Sequence, residues 1–368
     1  MSESESPYLK LEARFRRLTA LRDAEAILHW DWSAMMPSGA AEGRSEQLAE
    51  LKAVQHGLLA SPETADLLAA AEGENLDGWR KANLREMKRR WVHASALSEE
   101  LVAALSRAAS ACETVWRTSR PAGDFAAVAP SLDALLALVR EAAAARGEKL
   151  RLSPYDALLD AYEPFARAQE IDAEFSSLKA FLPDFLAQVL ERQAQKPGPL
   201  RPQGPFPADR QRRLCARLMK ALGFDFGHGR LDVSLHPFCG GAPDDVRITT
   251  RYDEGDFTTG VMGALHETGH ALYEMGLPKE WRGQPVGDAL GMAVHESQSL
   301  LIEMQVCRGA DFLSFAAPLM AGILGGDGPA WTADNLARLY AHAAPGFIRV
   351  DADEVTYPLH VILRYELE

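Results

Sequence analysis

The sequence predicts a mainly α-helical fold with one small β-hairpin or sheet in its second half. Three observations support this. From residue 8 to about 195, apolar side chains recur at helical spacing in an alanine-rich composition that favours helix. Residues 197–207, PGPLRPQGPFP, hold five prolines and two glycines and interrupt regular structure. The strongest strand signal follows this break, and helical periodicity then resumes.

The individual elements follow from these patterns in chain order. Periodicity predicts helices over 97–119, 130–148, 168–193 and 208–222. The segments 231–235 and 245–252 are rich in β-branched residues and are separated by glycine and proline, so they predict a β-hairpin. Further helices are predicted over about 257–277, 285–310, 311–323, 331–342 and 353–368.

Composition excludes several classes of protein. The chain has 368 residues, 47% of them hydrophobic, which is enough for a large core. Its net charge of −13 argues against a nucleic-acid partner and against binding to an anionic membrane. The four cysteines are scattered without a CxxC pair, which argues against a disulfide framework and against a cysteine zinc site. We see no signal peptide and no apolar run long enough to span a membrane, and we therefore expect a cytoplasmic protein.

The segment 266–270 is an HExxH motif, which predicts a zinc site on a helix. His266 and His270 are four residues apart, so both imidazoles lie on one helix face and reach one metal ion. Glu267 projects at a different angle and is placed to act as general base without being a ligand. The alternative is a surface helix with two hydrogen-bonded histidines.

A catalytic zinc site needs a third protein ligand, and two neighbouring residues compete for that role. Glu296 lies 26 residues after His270, which leaves room for a turn and a second helix running back beside the first. His295 is its competitor, and adjacent helical residues point about 100° apart, so both cannot easily ligate. We choose Glu296, because it completes a His₂Glu set. The alternative is that Glu296 is an ordinary surface carboxylate.

With these residues in place, the chain resembles the M32 family of metallocarboxypeptidases. The resemblance covers essentially the whole chain, including a stretch from His29 to Arg44. The family's motifs occur here in order: His236-Pro237-Phe238, Asp245-Val246-Arg247-Ile248-Thr249, His266–His270, His295-Glu296-Ser297-Gln298, and Ile348-Arg349-Val350-Asp351-Ala352-Asp353. A further family motif, GxxQDxHW, has no match, and the chain is short at its C-terminus relative to the family.

The resemblance implies a two-lobed, neurolysin-like zincin fold with a groove and removal of single residues from peptide C-termini. It also implies a homodimer and Zn²⁺, or Co²⁺ as a substitute. We expect one two-lobed domain over residues 1–368. In it, 1–196 form a helical covering lobe, 197–207 a proline-rich linker, and 208–368 the lobe with the zinc site.

A carboxypeptidase must also bind the free terminal carboxylate of its substrate. Arginine does this best through paired hydrogen bonds, and Arg349 is the first candidate, supported by the family motif. Arg247 and His236 are second candidates for substrate contacts. The alternatives are that Arg247 pairs with Asp245 two residues away and that His236 is a turn histidine.

Two further groups near this motif have open roles. Tyr357 is a candidate for stabilising the oxyanion, and the alternative is a core aromatic. Asp351 and Asp353 either orient Arg349 or cap the helix that begins near residue 353.

Three functions therefore remain at this point. The leading one is a zinc carboxypeptidase with Glu267 as general base. The second is a metallo-endopeptidase or dipeptidase with an opened groove. The third is a catalytically weak protein that binds metal or peptide.

Overall fold

Helices dominate the computed structural model, which describes residues 6–349 and 352–368. The prediction of a mainly α-helical chain with a small sheet is confirmed. The helices are α1 (Pro7–Ala34), α2 (Ala41–Ala60), α3 (Pro62–Ala71), α4 (Gly78–Ser95), α5 (Glu99–Ala122), α6 (Phe125–Leu150), α7 (Pro154–Tyr162), α8 (Ala168–Ala194), α9 (Ala208–Ala221), α10 (Phe257–Gly276), α11 (Met292–Leu300), α12 (Ala310–Leu324), α13 (Ala333–Tyr340) and α14 (Tyr357–Leu367).

The sheet has three strands, and its pairing differs from the predicted hairpin. The strands β1 (Gly229–Val233), β2 (Phe238–Ala242) and β3 (Asp245–Thr250) lie in the order β1-β3-β2. β1 and β3 pair in parallel, with Gly229 opposite Val246 and Val233 opposite Thr250, so the predicted hairpin between these two segments is wrong. Parallel strands need a crossover, and residues 234–244 supply it. β2 lies within that crossover, and its sequence FCGGA gave little strand signal because glycine is rare in strands.

The predicted helix 285–310 is also shorter than expected. Its first part contains only a 3₁₀ turn at Pro285–Gly287, and α11 begins at Met292. Proline and glycine in the segment PVGDALG explain this late start. After Leu300 the helix continues as a π-helical segment, Leu301–Cys307.

The described chain divides into two compact units. Unit 1 contains the chain up to Ala166 together with Gly240–Pro243 and Gly276–Met292, and unit 2 contains Arg167–Cys239, Asp244–Met275 and Ala293–Glu368. The predicted lobes, 1–196 and 208–368, remain a prediction.

Unit 1 is built from α1 to α7. α5 packs against α2 and α6, and α1 packs against α2 and α3. Helix α5 shows how the sequence sets its limits. The Ser98 hydroxyl accepts the Leu101 N–H at the start, and Gly123 adopts φ +66° at the end.

The segment Gly276–Met292, which joins α10 to α11, makes buried and partly buried polar contacts within unit 1. The Asp288 carboxylate accepts hydrogen bonds from Arg22 at 2.5 Å and from Arg90 at 2.6 Å. The Asn83 side-chain amide donates to Gln284 at 3.1 Å. These contacts hold the connection between the two helices in a defined course.

Unit 2 has its own hydrophobic core, to which α9, β1, β3, α10, α12 and α13 contribute. Leu218, Ile248, Val261 and Leu313 are completely buried there. α12 packs against α9 and α13, while α14 packs against α8. The core therefore fixes one face of α10, the helix that carries the HExxH motif.

No single helix in residues 6–349 and 352–368 is both long and apolar enough to cross a membrane. One bent pair, Pro285–Cys307 with Ala310–Leu324, meets that test by length and composition alone.

Candidate metal centre and active site

Helix α10 presents both histidines of the HExxH motif on the face opposite its core contacts. Asp256 caps the helix by accepting the Thr258 N–H at 2.8 Å, and Val261 is fully buried in the core. His266 and His270 follow one turn apart, with ring centroids separated by 5.0 Å. Their side chains are 20% and 11% exposed. The helix therefore delivers two shielded imidazoles to one place.

Helix α11 brings Glu296 to these histidines through a close contact at Gly269. A Cβ at this glycine would lie 2.6 Å from the Cα of Ser299, so the approach of α11 depends on the missing side chain. The Glu296 carboxylate oxygens lie 3.9 Å from His266 Nε2 and 3.3 Å from His270 Nε2. One donor atom from each of the three residues lies within 4.8 Å of the other two.

The Nδ1 atom of His266 has a carboxylate partner. Glu303 lies in the π-helical segment, and its Oε2 is 2.9 Å from that Nδ1. The other oxygen of Glu303 accepts a hydrogen bond from Arg308. This contact orients the imidazole so that Nε2 faces Glu296.

The Nδ1 atom of His270 has a different partner, the ring of His295. The two Nδ1 atoms are 2.6 Å apart, and His295 Nε2 lies 2.8 Å from Glu274 Oε1. In this structure His295, the competitor for the third ligand position, therefore contacts a histidine of the site with one nitrogen and a carboxylate with the other.

Burial and neighbouring charges shift the pKa values of the site's groups in opposite directions. Burial raises the pKa of Glu267, and the nearby histidines only partly offset it. The hydrogen bond with His270 lowers the pKa of Glu296 and favours its ionised form. Burial by itself lowers the pKa of His266, but the hydrogen bond with Glu303 and the surrounding carboxylates outweigh it, so the net shift is upward.

The three donors fit a metal ion. Both histidines use Nδ1 for a protein contact and leave Nε2 for a ligand bond, while Glu296 adds a carboxylate oxygen. Two imidazoles and one carboxylate form the protein ligand set of catalytic zinc sites that keep a further position open.

A cavity of about 300 Å³ in unit 2 adjoins these donors. Glu267, His236, Arg349 and Tyr357 all line it, together with Glu296. The guanidinium of Arg349 donates to the Tyr357 hydroxyl at 3.2 Å, and this hydroxyl donates to Glu296 at 3.4 Å. The structure thus places the candidate carboxylate anchor, the tyrosine and a candidate metal ligand in one hydrogen-bonded row.

Arg247 is placed differently from the other predicted substrate residues. Its guanidinium makes two hydrogen bonds to Asp245, of 3.0 and 2.7 Å, and it is not among the residues that line the cavity. This is the alternative considered for that residue, and its role as a substrate contact stays a prediction. Asp353 caps the turn before α14 by accepting the N–H groups of Val355 and Thr356. Asp351 lies outside the described residues.

Comparison with known proteins decides the family. The family model described as carboxypeptidase Taq (M32) metallopeptidase matches residues 10–368. The chain belongs to this family. The M32 chain is accordingly a metallocarboxypeptidase, an enzyme class that hydrolyses peptides with a metal ion.

Relatives of the M32 chain agree over nearly its full length. It is 39% identical over 367 residues to thermostable carboxypeptidase 1 of Thermus thermophilus, covering 96% of this chain and 72% of the relative. Carboxypeptidase 1 of Bacillus subtilis is 31% identical, with 96% and 70% covered. The solved structure of Trypanosoma cruzi metallocarboxypeptidase 1 matches with a TM-score of 0.91 at 42% identity, covering 98% of this chain and 73% of that one.

The M32 motifs did not reveal every residue around the site. Sequence reasoning missed Glu303, Arg308 and Glu274. A periodicity signal existed for two of them: Glu303 follows Glu296 by seven residues and Glu274 follows His270 by four, so each pair shares a helix face. No sequence pattern around Arg308 indicated that it lies near the site.

Proposed function

We propose that this chain is a zinc-dependent carboxypeptidase that removes single residues from peptide C-termini, with Glu267 as its general base. The observation that supports this most is the shared cavity. Glu267 and Arg349 line it together with the candidate ligands His266 and Glu296. A water-activating group and a carboxylate-binding group in one small cavity are what cleavage next to a free C-terminus needs.

His266 and His270, through Nε2, and Glu296, through its carboxylate, would hold the metal. When bound, Zn²⁺ would polarise the scissile carbonyl and lower the pKa of water. Co²⁺ accepts the same nitrogen and oxygen donors and is the expected substitute.

Glu267 would move the protons of the reaction. Its carboxylate takes a proton from water as the water oxygen bonds to the carbonyl carbon, and then gives that proton to the nitrogen of the leaving residue as the C–N bond breaks. The residue is 7% exposed, and burial raises its pKa. A carboxylate with this raised affinity for a proton suits both halves of the transfer.

Arg349 would bind the terminal carboxylate of the peptide. A guanidinium forms two parallel charge-assisted hydrogen bonds to a carboxylate, which an amidated C-terminus cannot accept equally. His236 and Tyr357 line the same cavity, and we assign them to contacts with the bound peptide.

Two measurements test this function. Glu267→Gln should lower kcat by at least about 10³-fold while zinc binding, measured by titration, stays unchanged. The matched control Glu280→Gln, at an exposed glutamate of unit 1, should keep full activity.

The second measurement compares the hydrolysis of N-blocked peptides that have a free C-terminus with that of N-blocked peptides that have an amidated one. A carboxypeptidase should release single residues only from the free acid. Cleavage of both at internal bonds would establish an endopeptidase, and zinc binding without hydrolysis of either would establish a binding protein.

From the family resemblance we further propose a cytoplasmic homodimer. Light scattering should give a mass near 81 kDa, twice that of the 40.3 kDa chain.

A further inference from the structure

The motif that supplies Glu296 also contains a histidine that has no assigned role. His295 lies between two residues of α10, with Nδ1 2.6 Å from His270 Nδ1 and Nε2 2.8 Å from Glu274 Oε1. Tyr273 meets the same ring edge-on, at a centroid distance of 5.1 Å. The His295 side chain is 12% exposed. Its ring is therefore held on three sides by α10.

His270, His295 and Glu274 form a row of polar contacts. The positions of the protons in this row follow from the proposed role of His270 as a metal ligand. A neutral imidazole that offers the Nε2 lone pair carries its proton on Nδ1, and this proton must be donated to His295 Nδ1. His295 then accepts at Nδ1 and carries its own proton on Nε2. That proton points at the Glu274 carboxylate, which when ionised accepts hydrogen bonds and donates none. Every nitrogen in the row thus has one consistent role.

We propose that His295 and Glu274 are positioning residues that fix the tautomer and ring orientation of His270. This inference rests on the proposed metal centre. Two consecutive residues of one motif then act on the same site in different ways: Glu296 as a ligand, and His295 as the partner that orients another ligand. Glu274 acts one step further out, because its carboxylate selects the tautomer of His295.

The two histidine ligands have different outer partners, and this makes the proposal testable. His266 donates directly to the Glu303 carboxylate, whose charge is balanced by Arg308. His270 donates to the neutral ring of His295, and the Glu274 carboxylate lies on the far side of that ring. Removal of His295 therefore leaves a buried Nδ1–H without its acceptor and lets the His270 ring rotate.

The experiment measures binding of Zn²⁺ to the full chain by competition with a chromophoric chelator at fixed pH. His295→Ala should weaken binding by about 10- to 100-fold. His295→Asn, which keeps an acceptor near the position of Nδ1, should recover most of that loss. The matched control His228→Ala, at an exposed histidine of the same unit, should bind like the parent chain.

A double-mutant cycle tests whether Glu274 acts through His295. Glu274→Leu should weaken Zn²⁺ binding about 3- to 10-fold in the parent chain but should have no further effect in His295→Ala. The absorption spectrum of bound Co²⁺ should keep its four-coordinate intensity in both variants. Equal and independent losses from the two substitutions would overturn the proposal.

The failure of this inference can be told apart from failure of the metal site itself. If His270→Ala abolishes Zn²⁺ binding while His295→Ala binds like the parent, the positioning role is refuted and the proposed function stands. If His270→Ala binds Zn²⁺ like the parent, the site is refuted. If His295→Ala abolishes binding as completely as His270→Ala and His295→Asn restores nothing, His295 is itself a ligand and the proposal is wrong.

Discussion

Gly269→Ala offers a direct test of how the proposed metal centre is assembled. The added Cβ would lie 2.6 Å from the Ser299 Cα, about 1 Å inside ordinary carbon–carbon contact. Backbone atoms cannot rotate away, so α11 must move outward by a distance of that order. Glu296 lies one turn earlier on α11 and moves with it. Metal–ligand distances tolerate about 0.2 Å, so a shift of ~1 Å removes the carboxylate from the coordination sphere.

We expect Gly269→Ala to weaken Zn²⁺ binding by at least about 100-fold and to cost about 1 to 3 kcal/mol in the free energy of unfolding. Chelator competition and denaturant unfolding measure these two quantities. Gly263→Ala is the matched control on the same helix, since its Cβ would meet Thr250 at 3.7 Å and Pro237 at 3.8 Å, which are ordinary contacts. Equal Zn²⁺ affinity in the two variants would refute the view that the glycine contact places Glu296.

Three further predictions concern Arg349, Tyr357 and Asp288. Arg349→Ala should raise KM for free-acid peptides by about 100-fold in steady-state assays, because the terminal carboxylate loses its charged partner; an unchanged KM contradicts the assignment. Tyr357→Phe should lower kcat by about 10-fold with little change in Zn²⁺ affinity, since the ring stays while the hydroxyl's hydrogen bonds with Arg349 and Glu296 are lost; unchanged kcat would make it a packing residue. Asp288→Asn should lower the free energy of unfolding by about 2 to 3 kcal/mol at pH 7, as it leaves Arg22 and Arg90 without their shared carboxylate. Burial alone raises the pKa of Asp288, but the two arginines outweigh it and lower the pKa overall. The stabilisation is therefore present above about pH 4 and is lost at lower pH, so urea unfolding should show the difference shrinking towards pH 3; a constant difference would contradict the ion pair.

Most of the predicted helices, 285–310 excepted, could be predicted from the sequence because they depend on local periodicity and capping. The predicted helix 168–193 matches α8, and 257–277 matches α10, each within a residue at its ends. The sheet could not be predicted in the same way. Its two most β-rich segments looked like a hairpin, but strand pairing is a contact between distant residues. In the structure β3 lies between β1 and the glycine-containing β2, and β1 pairs with β3 in parallel rather than antiparallel.

The candidate site likewise has features that could be predicted from the sequence and features that could not. His266 and His270 could be selected from spacing, because a helix converts a four-residue interval into a shared face. Glu296 could be selected because a carboxylate completes a His₂Glu set. The contacts of Glu303 with Arg308 and of His295 with His270 depend on the π-helical segment and on the approach of α11 to α10. Neither feature has a local sequence signature of its own. The sequence therefore indicated the candidate donors, while the structure was needed to find the side chains that contact them.

The position of Glu296 has two candidate causes, and the structure separates them. The segment from Gly276 to Met292 is tied into unit 1 through Asp288, whereas the contact of Gly269 with Ser299 lies within unit 2. If the contacts of Asp288 set the position of Glu296, Asp288→Asn would weaken metal binding and also lower the free energy of unfolding. The contact at Gly269 is nearer to the ligand and involves rigid backbone on both sides, so it should dominate. We therefore expect the two substitutions to dissociate: Asp288→Asn lowers stability and leaves Zn²⁺ affinity within about threefold, while Gly269→Ala changes affinity most. The close packing of two helices, rather than the course of the chain between them, then determines where the third candidate ligand lies.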